Sequence, residues 1–435
     1  MARNVFMASM AFFFPLRHLA RPYRRLARLR PDGYVDTPFA CNAAATCSYW
    51  RLVGGTLSPS AGIRPFFFSS RSNGVDDVWR RVEAHPLLLR FVPAAGAAPL
   101  YVLVVLLPVD KVFPPGRTAW ADDDFCTEFD LVCLRKAFLE RGDRGLHEAP
   151  DPHSDSHYRW LQALMGEVGG RRVPGVWPAC SLADVSVQQL DLAPRGNHPD
   201  AVCTAFDAAY YREPASSADA FLAAPVPLPL HARRSVAPGA APADGRSFVY
   251  GLLHADDNFL MLHADAVQAM AAAAYADNRA ETYWAGAGAI VHVITHCPFF
   301  HPREHWRQQL TPGLGRVACV IEACLLIYVE RELQRFRACH DDMTESQMAR
   351  GQARLAELLH RPLFNMAALD RRMDHFKACF RLQEQLDDVL AAARPRGRSK
   401  ELEHTRRAAA VAALLALLGI VATVAFGVIQ AVAGP

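Results

Sequence analysis

The residues best placed to do chemistry are four histidines in the segment from His292 to Trp306, HVITHCPFFHPREHW. His292 and His296 stand four apart, and His301 and His305 repeat that spacing. On a helix such a pair brings both imidazoles to one face, which is how many zinc sites begin. The zincin pattern also needs a glutamate directly after its first histidine, and Val293 and Pro302 occupy those positions instead. Zinc-protease chemistry is therefore not indicated. Pro298 and Pro302 also interrupt a helix, so the two pairs need not share a site. The four histidines are metal-ligand candidates, weighed against a plainer role as polar residues at a turn leading into the next helix.

Two acidic clusters suggest other metals. Asp122, Asp123 and Asp124 could recruit a hard cation such as magnesium. They also suit the first turn of a helix containing Glu128, where carboxylates complement the dipole. Asp151, His153, Asp155 and His157 alternate along a loop, and loop ligands hold metal only when something organises them. The chain has no P-loop, no Rossmann fingerprint and no serine in a GxSxG elbow. No CxxC pair is present, so neither a zinc ribbon nor a thioredoxin-type site is on offer. No strong catalytic motif thus speaks for an enzyme.

The elements that must position such residues fall into two textures. A chain of 435 residues exceeds the usual size of a single core, so two or three structural units are expected. Its formal charge of +3 supplies no broad basic field, and nucleic acid is not expected as a partner. Cys319, Cys324, Cys339 and Cys379 lie in apolar helical patterns and read as small buried hydrophobes in a reducing compartment. Residues 1–31 form a basic segment with no acid before Asp32, suggesting a transit peptide, a basic tail on lipid or protein, or a start codon placed too early. Within it, Val5 to Leu16 is too short, and its arginines too late, for a secretory signal.

Residues 32–275 read as an α/β domain. Leu100 to Val109 (LYVLVVLLPV) is the pattern of a central strand. Ser247 to His254 and Asn258 to His263 flank Ala255, Asp256 and Asp257 as a hairpin would. Helices are expected over Glu128 to Arg141, His157 to Val168 and His198 to Tyr211, with long loops at 141–156 and 223–246. The fold class is therefore α+β, or mixed α/β.

Residues 276–393 read as a helical hairpin or coiled-coil stalk. Leu314 to Arg337 has a broad apolar face, with a charged side from Glu330, Arg331, Glu332, Arg335 and Arg337. Thr344 to Gln347 has capping-box form, and Pro362 ends that helix. Met366, Leu369, Met373, Phe376 and Phe380 make a seam that slips at Gln383 and Asp387, while Leu386 and Leu390 continue out of phase. Residues 394–407 form a basic linker, in which Arg394 to Gly397 should break or kink the helix.

Residues 408–433 then read as a transmembrane helix, because no charge appears after Arg407 and Val411 to Val432 can cross a ~30 Å hydrocarbon core. Arg394, Arg396, Arg398, Lys400, Arg406 and Arg407 precede it, so the positive-inside rule holds the N-terminal bulk in the cytosol. The lipid bilayer is the first partner expected. A homo-oligomer or a helical protein partner is the second.

The order of an α/β domain, long helices and a terminal membrane helix resembles, in architecture, the CorA-type divalent-cation channels. Those channels carry two membrane helices joined by a Gly-Met-Asn loop, whereas this chain has one such segment and no such tripeptide. The sequence thus supports a single-pass anchored interaction or sensing protein. The resemblance implies a cation-transport subunit as the alternative, and the histidines imply a metal-dependent membrane enzyme.

Overall fold

The computed structural model describes residues 5–16, 18–35, 45–53, 60–70, 78–94, 96–110, 128–139, 154–169, 203–210, 244–256, 264–276, 281–286, 288–294, 319–339, 343, 345–362, 364 and 367–432. They divide into two compact units, Met1–Tyr328 with Pro362–Phe380, and Val329–Arg361 with Arg381–Pro435. The first is built on a sheet and the second is helical, so the fold is mixed α/β.

The sheet comprises β1 (Val5–Leu16), β2 (Gly33–Tyr34), β3 (Thr46–Arg51), β4 (Arg64–Ser70), β5 (Val78–Val92), β6 (Leu100–Asp110), β7 (Cys203–Tyr210), β8 (Glu281–Gly286) and β9 (Ala289–Ile294). Their order is β2-β3-β5-β6-β1-β7-β9-β8, with β4 joined to β5 off this path. All pairings are antiparallel except β7 with β9. The long β5 changes partners along its length: its first half pairs with β4, and its second half lies between β3 and β6.

β6 is central, as its unbroken run of Leu and Val requires. Side chains alternate faces along a strand. Phe12, Phe14, Leu103, Val105 and Leu107 lie in one core, together with Leu88 of β5. Phe13, Leu89, Phe91, Val102 and Val104 point the other way and are just as buried. Helices cover the first face: α1 (Arg21–Leu26), α2 (Glu128–Leu139), α3 (Ser154–Gly169), α4 (Gly245–His254) and α5 (Ala264–Ala272). Phe138 of α2 stacks on Phe12, with ring centroids 3.9 Å apart. The second face receives the start of α6 (Val320–Cys339), whose Tyr328 meets Phe91 edge-on at 6.4 Å, and α8 (Ala367–Cys379), which packs on β8.

Several elements differ from the sequence reading. Residues 5–16, the apolar part of the basic leading segment, form β1 between β6 and β7. Ser247 to His254 is the helix α4, not half of a hairpin; Asn258 to His263 lie outside the described residues, and residues 264–272 after them form a further helix. Asp244 caps α4 by accepting from the backbone N–H groups of Arg246 and Ser247 at 3.0 and 3.3 Å, and Ala255 closes it at φ 52°. Phe248, Val249, Leu252 and Leu253 repeat at helical spacing and bury one face, which outweighs their modest helix propensity. Residues 203–210, expected as helix, form β7, because pairing with β1 and β9 overrides an alanine-rich local preference. Residues 281–294 are strands where the stalk was expected to have begun at 276.

The second unit is made of the rest of α6, α7 (Glu345–His360) and α9 (Leu382–Val432). Among the described residues Val329, Leu333, Phe336, Met348, Leu355, Leu359, Leu382, Leu386 and Val389 are its buried apolar side chains. The expected slip in the heptad seam coincides with the gap between α8 and α9, where Arg381 takes φ 54°. Each helix then keeps its own phase: Met373 and Phe376 are buried in α8, and Leu382 and Leu386 in α9. The charged side of α6 is partly as expected, with Glu332 held by Arg335 at 2.8 Å and Arg354 at 3.5 Å. Glu330 departs from it, because burial pushes its carboxyl from 4.5 to about 7 against the opposing effect of Arg337.

α9 stays helical through Pro395, where a break was expected. A proline forfeits one backbone hydrogen bond at about 3 kcal/mol, and the alanine run 391–393 before it is strongly helix-forming. Among the described residues no helix is long and apolar enough to cross a membrane. The described side chains of α9 extend to Ile420, and from Leu402 onward all of them are exposed.

Gly351 of α7 lies against Phe336, and an added Cβ there would stand 2.6 Å from Cε2 of that ring. Alanine usually improves a helix interior over glycine by ~1 kcal/mol. Here the sign should reverse: Gly351→Ala is expected to lower stability by about 1–3 kcal/mol in chemical denaturation, since Phe336 is buried and cannot swing away. Glu330 supplies a pH test. Its folded form binds a proton more tightly than its unfolded form, so stability falls as pH rises from 4.5 through about 7. Glu330→Gln should flatten that slope and gain on the order of 2 kcal/mol on its alkaline side, read from unfolding midpoints across the pH range.

Candidate functional site

A buried polar cluster sits under α8, on the second face of the sheet. β8 and β9 pair so that Tyr283 lies opposite His292. Their rings stack at 4.4 Å with only 6° between planes. Arg372, from α8, places its guanidinium over the Tyr283 ring at 4.5 Å, a cation–π contact, and Phe376 meets the same ring edge-on at 6.2 Å. The partner of Arg372 is Glu322, one turn into α6, whose Oε1 accepts from the guanidinium. Glu322 is 0% exposed and Arg372 7%.

This is a full ion pair removed from water. Burial works against the charge of Arg372, yet Cys319, the Glu322 carboxylate and the Tyr283 hydroxyl lie close and hold its pKa above the ordinary arginine value. Cys319 precedes α6 in the left-handed region, at φ 62°, and its carbonyl accepts from the Ala323 N–H at 2.8 Å. The cluster thus joins four separate segments through one charge pair.

One turn further along α8, the His375 ring lies 5.4 Å from Tyr275, whose hydroxyl donates to the Ala368 carbonyl at 3.2 Å. Cys379 Sγ is 3.4 Å from His375 Nε2. A cysteine beside a histidine is the geometry of an activated thiol. Here, however, burial lowers the pKa of His375 and raises that of Cys379, so both neutral forms are favoured and a thiolate is not. On the first face, His254 stacks on Tyr250 at 4.2 Å. Burial lowers its pKa, assisted by Arg135 and opposed by Asp256.

Of the candidate histidines, His292 lies on a strand instead of a helix, buried against Tyr283. A strand does not bring residues four apart into the helical arrangement on which the zinc reading rested. His296, His301 and His305 lie outside the described residues, as do Asp122 to Asp124, Asp151 and His153. Among the described residues no group of His, Cys, Asp or Glu could hold a metal ion. Of the six basic residues used to orient the chain, Arg406 and Arg407 are exposed on α9, and Arg407 pairs with Glu403 at 2.6 Å. Arg394, Arg396, Arg398 and Lys400 lie along the same helix.

Glu322 and Arg372 were not singled out from sequence. The signal for Glu322 was present as a lone carboxylate inside the apolar run from Val320 to Val329. Such a residue needs a buried partner, but nothing local says that the partner lies fifty positions on. No protein-family model matches this chain, and neither a curated protein nor a solved structure shows significant similarity to it.

Removing one member of the pair strands the other charge in the core. Glu322→Ala should therefore cost about 3–5 kcal/mol, while Glu322→Leu combined with Arg372→Met should recover most of that loss. Urea denaturation followed by tryptophan emission, to which Trp284 of β8 contributes, distinguishes the two. A double variant as unstable as the single one would mean that the ion pair is not the source of the loss.

Proposed function

We propose that the chain is a single-pass membrane protein anchored by residues 408–433. In this reading its α/β unit stands on the cytosolic side and acts as an interaction or sensing module that self-associates through its helices. One observation carries the proposal. Val411, Leu414, Leu415, Leu417, Leu418 and Ile420 are each well over half exposed on α9, and the uncharged sequence continues from there to Val432. In water such a face is unfavourable by on the order of 1.5–3 kcal/mol for each large side chain that could be buried. Lipid removes that cost.

The length of the uncharged sequence supports the same reading, since Val411 to Val432 would span about 33 Å as a helix at ~1.5 Å per residue, against a hydrocarbon core of ~30 Å, whereas the described side chains, which end at Ile420, are by themselves too short a run to cross. The basic residues from Arg394 to Arg407, with none beyond, favour the orientation with the bulk of the chain in the cytosol. Self-association is supported by what the anchor does to concentration: chains confined to one surface meet far more readily than chains in solution.

The test is alkaline carbonate extraction of membranes from cells producing the full chain. The chain should remain with the membranes, and deletion of residues 408–435 should release it. Leu417→Arg with Ile420→Arg should weaken retention, since an arginine at the centre of a span costs ~2.5–3.5 kcal/mol. Quantitative release of the intact chain would remove the proposal. Crosslinking in the same membranes should capture dimers or higher species.

A further inference from the structure

The sequence from Arg21 to Arg30 contains five arginines and no acid. In α1, Arg21, Arg24 and Arg25 follow the i, i+3, i+4 spacing that places side chains along one face of a helix, and Arg28 follows in the turn beyond the Ala27 C-cap, where its N–H donates to the Arg25 carbonyl. All four are exposed, whereas Tyr23 on the opposite face is buried in the core and Leu26 and Ala27 pack against it. The helix is held firmly: Pro22 presets its first turn, and the Ala20 N–H donates to the Val168 carbonyl of α3 at 2.8 Å. Among the described residues none of these arginines has an ion pair or side-chain hydrogen bond. Asp32, the first acid after them, accepts from the Arg51 N–H at 2.6 Å. Leu29, between Arg28 and Arg30, is 63% exposed, and Tyr34 is 59% exposed.

A row of cations with a structural role would normally find acidic neighbours, and among the described residues this one has none. We propose that this face docks on the anionic headgroups of a lipid bilayer, with Leu29 entering the headgroup boundary. The choice of partner follows from the chemistry. Arginine forks match phosphate and carboxylate oxygens, and an exposed leucine within the row is suited to an acyl boundary. The net charge of +3 supplies no wider basic field of the kind that tracks a nucleic-acid backbone. Docking depends on the proposed anchor in one respect: a chain oriented with its bulk in the cytosol faces the leaflet that carries anionic lipid.

The experiment uses the full chain reconstituted into phosphatidylcholine vesicles with or without phosphatidylserine, with p-benzoylphenylalanine in place of Leu29. Illumination should yield lipid adducts in the phosphatidylserine vesicles, several-fold fewer in phosphatidylcholine alone, and fewer again at high salt. Changing Arg21, Arg24, Arg25 and Arg28 to Gln should abolish them while the thermal unfolding midpoint stays unchanged, since all four are exposed. The salt series on the unchanged arginines covers the case in which that variant folds poorly. Equal adduct yields in the two vesicles, or none in a chain that resists carbonate extraction, overturn the docking proposal and leave the anchor standing. If instead the intact chain is extracted, the anchor has failed, and flotation takes over as the test. Flotation with phosphatidylserine vesicles, weakened on the order of a thousandfold by the four substitutions, still supports docking, and failure to float overturns it. Adducts to added polyuridine in preference to lipid also overturn it.

Discussion

The central constraint on this molecule is that its sheet cannot tolerate water on either side. β6 and its neighbours β1 and β5 carry large apolar side chains on both faces, and those at their centre are fully buried. A half-buried antiparallel sheet would alternate apolar with polar residues, whereas these strands need a helical layer above and below. The first layer is supplied by α1 to α5. The second comes from much later in the chain, through α6 and α8, so the sheet is complete only when segments hundreds of positions apart have met.

The Glu322–Arg372 pair belongs to that second layer. Apolar packing alone lets a helix slide or rotate over a sheet at modest cost, because hydrophobic contact is non-directional. A buried charge pair does not, since any other register leaves an unsolvated charge. The stack of His292, Tyr283 and Arg372 adds planar contacts that are just as intolerant of displacement. The cluster is therefore best understood as a pin that sets α6 and α8 on β8 and β9, and its chemistry is that of fixing position.

The helical unit obeys a different economy. Its buried residues are spaced for helix-to-helix contact through α7 and the first turns of α9. Beyond residue 402, α9 has no described neighbour that shields its side chains, and the exposed run from Val411 to Ile420 is the outcome. The arginine row of α1 and this apolar run are opposite kinds of unfinished surface. A bilayer's anionic interface suits the first and its hydrocarbon interior the second, and the two proposals are tested separately.

What could be read from sequence was whatever depends on local pattern. The central strand at Leu100 to Val109, the helices beginning near Glu128 and His157, the helix ending before Pro362 and the uncharged C-terminal run all follow from composition and periodicity within a few residues. What could not be read was set by distant partners. Residues 203–210 are a strand because β1 and β9 offer ladder hydrogen bonds that an isolated helix there could not match. His292 is a packed ring on a strand because Tyr283 stands opposite it, and its spacing to His296 carries no information about that neighbour. Glu322 could be recognised as an anomaly in an apolar helix, but only the tertiary fold decided that Arg372 would resolve it. Local spacing determines which face of an element is apolar, and three-dimensional packing determines what covers it.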